Sequence, residues 1–386
     1  MNRCHEGEHD TGNDDRVEQP LEIREHGVSP ERVDAALPGD VTHGRGDVAS
    51  DFVHQRRAGD APDEHWDSAE KGHTGENEVP DGERAQMLAI VGVGVVFHEV
   101  SSKIVLCRLS MGKVAFVFPG QGSQKVGMGR DAFETFDAAR SVFEQADAAL
   151  QESLSTLCFE GPEEDLKLTA NTQPAVLATS IALLVALDEP CDVVAGHSLG
   201  EYSAHVAAGT LDLANGVKLV RKRGQYMQEA VPYGEGAMAA VLKADRELVE
   251  RVCGEVDGIV EPVNYNSPQA TSLPVSAPFH SSLMRPAEEK LRVELQALDL
   301  ADPSVPVYVN VDATPVTTAD AAKDALIRQV SRPVLWEQSV RQMLRDGVTL
   351  FVEVGPGRVL SGLLARIDKG AGRVSVQSPS DFDAAK

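Results

Sequence analysis

A short apolar run, Cys191–Ala195, breaks into Gly196-His197-Ser198-Leu199-Gly200, and an alanine-rich stretch ending near Gly209 continues from it. No other part of the chain constrains the fold as strongly. A buried strand that turns this sharply into a helix leaves no space for side chains on either side of the turn. Glycine therefore flanks the serine, whose hydroxyl is pushed out over the end of the strand. This arrangement is a nucleophile elbow, and it belongs in a sheet of mostly parallel strands.

The rest of the folded region agrees with that class. Lys113–Phe118 (KVAFVF) reads as a buried strand, and Pro119-Gly120-Gln121-Gly122 as a tight loop whose backbone can approach a ligand. Helical patterns follow over Arg130–Leu150, Gln173–Leu187 and Leu213–Ala230. Beyond them come a strand at Gly236–Leu242, a helix at Arg246–Val256 and a strand at Ile259–Asn264. Leu350–Val354 is a last strand, followed by Gly355-Pro356-Gly357 and a closing helix over Val359–Ile367. No internal repeat is present. The expected architecture is α/β.

Upstream of Met111 the texture is different. Residues 1–86 hold 22 Asp/Glu against 9 Lys/Arg, with Phe52 and Trp66 as their only aromatic residues. Such a stretch buries too little apolar surface to offset its ordering entropy, so residues 1–110 are expected to be a disordered, dispensable acidic extension. Seven of the chain's 11 histidines lie in those 86 residues and an eighth is His98, which raises a metal-binding reading that is given little weight. No metal site is expected.

The formal charge of −24 argues against sequence-independent binding to nucleic acid or anionic membranes, both of which need a Lys/Arg excess. The five cysteines, Cys4, Cys107, Cys158, Cys191 and Cys253, form no CxxC pair, so a reducing cytoplasmic setting is the simplest expectation. The longest apolar run, Met87–Phe97, falls well short of the roughly 20 residues of a spanning helix.

A serine hydroxyl is a weak nucleophile and needs a base within hydrogen-bond reach. Beyond the extension only His197, His205 and His280 qualify. His197 adjoins Ser198 and should point away from it at the turn, while His205 lies about 10 Å along the following helix. That leaves His280. The oxyanion formed on attack needs preorganised donors, and the backbone N–H of Leu199, at the start of the elbow helix, is one. The second must come from another loop, for which Gly120-Gln121-Gly122 is the best candidate.

Six blocks carry a family resemblance: FPGQGSQ (118–124), ANTQPA (170–175), AGHSLGEYSA (195–204), RGQYMQEAVP (223–232), PVSAPFHSSLM (274–284) and EVGPGRVLSGLL (353–364). In this order, over residues 111–386, they resemble malonyl-CoA:acyl-carrier-protein transacylases. The resemblance implies a two-step transfer of a malonyl group from malonyl-CoA to the phosphopantetheine thiol of acyl carrier protein, with no metal or prosthetic group and a monomeric enzyme.

It also implies roles. Ser198 becomes the acylated nucleophile and His280 its base, oriented by the main-chain carbonyl of Gln329 rather than by an acidic residue. Gln121 and Leu199 supply the oxyanion donors. Arg223 binds the substrate's free carboxylate, a task suited to a planar guanidinium fork. Without the resemblance, Arg221, Lys222 and Arg223 read as a solvated helix face. Phe279 matches the malonyl-selective pattern, in which bulk excludes an α-methyl branch, and His197 is placed at the substrate site.

In one respect the chain departs from the family. A small ferredoxin-like subdomain of two βαβ halves is expected inside the hydrolase-like core. Here the first half runs from Gly236 to Asn266, but only Gln269–Ser272 separate Ser267-Pro268 from Leu273-Pro274. The chain thus divides into a large catalytic domain (111–235 and 273–386) and an incomplete subdomain (236–272), with exposed sheet edges and a shortened tether to His280. Two other readings stand beside transfer. One is a serine esterase or thioesterase, which calls for an acid between Ser198 and His280 that Asp212, Asp245 and Asp257 supply poorly. The other is an inactive truncated homologue that still binds carrier protein.

Overall fold

The computed structural model describes residues 112–231, 236–239, 241, 244–268 and 278–386. The extension, with its apolar run at 87–97, lies outside the described residues, as does most of the segment joining Pro268 to Pro278.

The chain starts with β1 (Lys113–Phe118). The single helical pattern expected over Arg130–Leu150 is two helices, α1 (Arg130–Thr135) and α2 (Asp137–Leu150). They part at Phe136, which takes extended dihedrals (φ −122°, ψ 121°) and packs against Phe382. Two short helices that lack a strong period, α3 (Leu154–Glu160) and α4 (Glu163–Lys167), lead to α5 (Thr169–Leu187), which begins before the expected Gln173. The elbow follows as β2 (Val193–Gly196) and α6 (Leu199–Ala207). Next is α7 (Leu213–Ala230), whose N-cap Asp212 accepts from the Asn215 N–H at 2.9 Å.

The remaining elements are α8 (Arg246–Glu255), α9 (Arg285–Gln296), β3 (Val307–Tyr308), β4 (Pro315–Val316) and α10 (Ala319–Gln329). They continue through α11 (Trp336–Arg345), β5 (Val348–Val354), α12 (Val359–Ile367), β6 (Gly372–Val376) and α13 (Phe382–Ala385).

The sheet order is β4-β3-β2-β1-β5-β6. Every neighbouring pair is parallel except β3 with β4. Alternation along β1 divides the core: Phe116 and Phe118 join a cluster with residues of α2, α5 and α7, whereas Ala115 and Val117 face Trp336 of α11 and Leu360 and Leu364 of α12. Helices therefore cover both faces, as a parallel sheet requires. Each fully buried Phe or Val of the central strands contributes about 1.5–3 kcal/mol by leaving water. Helix α5 is long and apolar enough to cross a membrane, yet most of it is buried in this core, packed against α2 and α7.

Neither of the two strands expected in the small subdomain is formed among the described residues. None of the described residues in Gly236–Leu242 is in a strand, and Ile259–Asn264 makes only one bridge, Asn264 to Val334 of the large domain. A strand is held by its neighbours, and among the described residues neither stretch has a partner strand. In consequence Ile259 is 59% exposed and Val252 48%, and helix α8, which does form, has no buried residue.

Candidate active site

Ser198 caps α6 with φ 53° and ψ −105°, a strained combination for a residue with a side chain. The crowding behind it explains both glycines. A Cβ on Gly196 would lie 2.0 Å from the Gly200 backbone, and one on Gly200 would lie 2.0 Å from the Phe118 carbonyl oxygen. The turn is locked to β1 by the His197 N–H donating to that same carbonyl at 3.1 Å.

The serine hydroxyl meets His280. Ser198 Oγ and His280 Nε2 are 2.7 Å apart, and His280 Nδ1 is 2.8 Å from the Gln329 carbonyl oxygen. A carbonyl only accepts, so Nδ1 carries the proton and Nε2 presents its lone pair to the hydroxyl. Burial, and then the charge of Arg223, push the His280 pKa down to about 3. Burial keeps the base neutral, and the Gln329 carbonyl orients its ring, on a residue whose backbone takes φ 64°. The shortened tether does not keep it from the nucleophile.

Arg223 projects from α7 into the interior and is 1% exposed, not part of a solvated helix face. Its Nη1 donates to Gln173 Oε1 at 2.7 Å, and its Nη2 donates to Gln329 Oε1 at 2.9 Å and to Ser198 Oγ at 3.1 Å. The guanidinium also lies over the Tyr202 ring, 5.2 Å from its centroid. Its Nε has no hydrogen-bond partner among the described residues. Among the described residues no carboxylate bonds this buried cation directly, so an anion carried by a ligand would find donors in it that no other anion holds.

The Ser198 N–H donates to Asn310 Oδ1 at 2.7 Å, which removes it as an oxyanion donor. The next amide, that of Leu199, opens α6, where the first N–H groups have no partner within the helix. The Gly120-Gln121 loop presses on the elbow, since a Cβ on Gly120 would lie 2.5 Å from the His197 carbonyl oxygen. Next to it, the Gln121 side chain donates to Thr169 Oγ1 at 3.1 Å. Phe279 is buried directly before His280. His197 turns from the nucleophile: its Nε2 pairs with Asn266 Oδ1 at 2.6 Å and its ring packs edge-on against Trp336. With Gly120, Gln121 and Leu363 it lines a small hollow beside the site.

The chain matches the acyl transferase domain family over residues 115–276. It is 44% identical over 306 residues to a malonyl CoA-acyl carrier protein transacylase of Bacillus subtilis, an alignment that covers 71% of this chain and 96% of that one. The chain belongs to the malonyl CoA-acyl carrier protein transacylase family.

Solved members of the family have the same fold. An acyl carrier protein S-malonyltransferase from Vibrio cholerae superposes with a TM-score of 0.69 at 42% identity, covering 71% of this chain and 100% of that one. A malonyl-transacylase solved in complex with its type II PKS acyl-carrier protein matches with a TM-score of 0.69 at 39% identity, over 71% of this chain and 98% of that one.

Two site residues went unassigned in the sequence. Gln173 is inside the ANTQPA block, and its place in the first turns of α5 marks it as inward-facing. Asn310 lies two residues past β3, at the strand end where α/β sheets place their sites, but a two-residue strand leaves no period from which to find it. Among the described residues no cluster of His, Cys, Asp and Glu could hold a metal ion.

Proposed function

We propose that this chain moves a malonyl group from malonyl-CoA to the phosphopantetheine thiol of acyl carrier protein through an ester on Ser198. One observation carries the reading: the hydroxyl that faces a neutral imidazole at 2.7 Å also lies 3.1 Å from a buried guanidinium. A generic serine hydrolase needs the first contact and has no use for the second.

In the first half-reaction Ser198 Oγ attacks the thioester carbonyl carbon while its proton passes to His280 Nε2. The oxyanion is received by the N–H groups of Leu199 and Gln121. As the C–S bond breaks, the CoA sulfur leaves with the proton from His280. In the second half the carrier thiol gives its proton to His280, its sulfur attacks the malonyl ester, and Ser198 Oγ leaves reprotonated. Arg223 holds the malonyl carboxylate throughout, and Phe279 closes the space that an α-methyl branch would need.

The large catalytic domain is assigned to 111–235 and 273–386 and the incomplete subdomain to 236–272. The protein is read as a cytoplasmic monomer that meets its carrier protein in solution. Intact-mass measurement after mixing with malonyl-CoA tests the function. A stable malonyl adduct should form, disappear on adding carrier protein with its phosphopantetheine arm, and be absent in Ser198→Ala. Rapid release without an acceptor would make the chain a thioesterase, and no adduct at all would make it an inactive homologue.

A further inference from the structure

Directly beneath the elbow lies a carboxylate to which the transfer reaction assigns no task. Glu201 is on α6, one turn after Ser198, and is 0% exposed. Its Oε2 accepts from the Asn310 N–H at 2.8 Å and from Gln329 Nε2 at 3.0 Å, while its Oε1 accepts no hydrogen bond among the described residues. Asn310 and Gln329 in turn grip the elbow. Asn310 Nδ2 donates to the Gly196 carbonyl at 2.7 Å, and Gln329 Nε2 donates to the Ser198 carbonyl at 2.8 Å.

The orientation of the Gln329 amide follows from this. An ionised carboxylate only accepts, so the NH2 group faces Glu201 and the amide oxygen faces Arg223. One amide therefore separates a buried anion from a buried cation. Glu201 is the nearest carboxylate bonded into the Arg223 network, and the substrate's carboxylate is to bind the same guanidinium.

We propose that Glu201 is a positioning residue that serves as the counter-charge of Arg223 in the empty site, and that an arriving malonyl carboxylate displaces it in that role, so that malonyl binding is coupled to uptake of a proton by Glu201. The proposal rests on the assignment of Arg223 to the malonyl carboxylate. The proton has a place to go, the unpartnered Oε1, without disturbing the two donors on Oε2.

The surroundings support the coupling. Burial raises the Glu201 pKa to about 7, opposed by the Gln329 and Asn310 donors and by the charge of Arg223 on α7, and aided by Asp312 beyond β3. Asp312 is itself paired with Arg328 of α10. On α6, Tyr202 and His205 are the titratable neighbours, and burial keeps both neutral near pH 7. Once a second anion shares Arg223, Glu201 loses part of what favours its charge and its pKa rises further. By reciprocity, malonyl affinity must fall as Glu201 ionises.

The test follows KM for malonyl-CoA and acetyl-CoA from pH 6 to pH 8 in the full chain and in Glu201→Gln. For the unsubstituted protein, KM for malonyl-CoA should rise about tenfold with pH, within the usual range of site–site coupling. KM for acetyl-CoA, which brings no carboxylate, should stay flat. Glu201→Gln, which keeps the shape and an accepting oxygen, should flatten the malonyl profile. A merely structural carboxylate would lower kcat for both donors and leave the slope in place, and that result overturns the proposal.

A measurement that does not depend on the variant folding uses Ser198→Ala, which cannot be acylated. Calorimetric titrations with malonyl-CoA in buffers of different ionisation enthalpy should give proton uptake near pH 7 in excess of that with acetyl-CoA, whose phosphates are the same. Equal uptake with binding intact refutes the role of Glu201 alone. Equal affinity for the two donors would instead remove the Arg223 assignment on which it stands.

Discussion

Replacing Arg223 with alanine separates this transferase from any hydrolase built on the same elbow, and the structure sets the size of the effect. Malonyl-CoA would have to bring its carboxylate into a site stripped of its cation. Breaking one side of a buried ion pair costs about 3–5 kcal/mol, which at about 1.36 kcal/mol per decade is a loss of roughly 10²–10⁴-fold in kcat/KM. Acetyl-CoA avoids that penalty but not every consequence, because Arg223 Nη2 also donates to Ser198 Oγ at 3.1 Å. Losing one hydrogen bond from a charged donor removes about 1.5 kcal/mol, roughly tenfold, from both substrates. The ratio of malonyl to acetyl transfer should therefore fall by about two to four decades while acetyl transfer drops about tenfold. Gln173 Oε1 and Gln329 Oε1 also lose their donor, so the melting temperature should fall and rates must be compared at equal folded fraction. Initial rates of carrier-protein acylation from each donor, followed by intact mass, are the assay. Equal losses for the two donors would show that Arg223 supports only the fold and the serine.

Other outcomes follow from the same geometry. His280→Ala should slow acylation by roughly 10²–10⁴-fold, the worth of a positioned base, and a near-normal rate would mean another group takes the serine proton. Gly200→Ala places a Cβ 2.0 Å from the Phe118 carbonyl oxygen, backbone against backbone, and should abolish soluble expression; a folded variant would show that the elbow is less crowded than described. Because His280 is held neutral down to about pH 3, acetyl-CoA acylation should show no protonation limb between pH 5.5 and pH 8, and a limb at the ordinary histidine value would contradict its burial. Among the described residues His205 is buried with neither ring nitrogen partnered, and burial pushes its pKa down to about 3. The unfolded chain therefore binds the extra proton between about pH 3 and pH 6.5, and stability should fall on acidification through that window. His205→Leu should shrink that fall in thermal melts, and an unchanged acid dependence would place the titration elsewhere.

What the sequence disclosed depended on how local the physics was. The elbow, β1, α7 and α12 were legible because each carries its own signal: a run of apolar residues, a capping aspartate or glycines that the backbone cannot do without. The two-residue strands β3 and β4 were not, since they are too short for any alternation to register. Gly236–Leu242 and Ile259–Asn264 have strand-like composition, but pairing is a property of partners, and among the described residues neither has a partner strand. In the site, His280 emerged by elimination. The burial of Arg223 came only from the family pattern, because a helix face rich in Arg and Lys looks solvated until the helices around it are known. Glu201 lay in plain view in the elbow block, yet its isolation from water is created by Asn310 and Gln329, more than a hundred residues away in sequence.

Helix α8 has a longer reach than its ten residues imply. It has no buried side chain, and helices shorter than roughly 12–15 residues are marginal by themselves in water. Its backbone amides are thus held by little beyond its own turns, a cation–π contact of Arg246 with Tyr265, the Arg246–Glu337 ion pair at 3.8 Å, and the Tyr265–Glu250 hydrogen bond at 2.9 Å. Amide hydrogen exchange should divide the molecule accordingly. The amides of α8 should exchange through local opening at a small fraction of the global free energy, while those of α5, enclosed between α2 and α7, should exchange only when the whole domain unfolds.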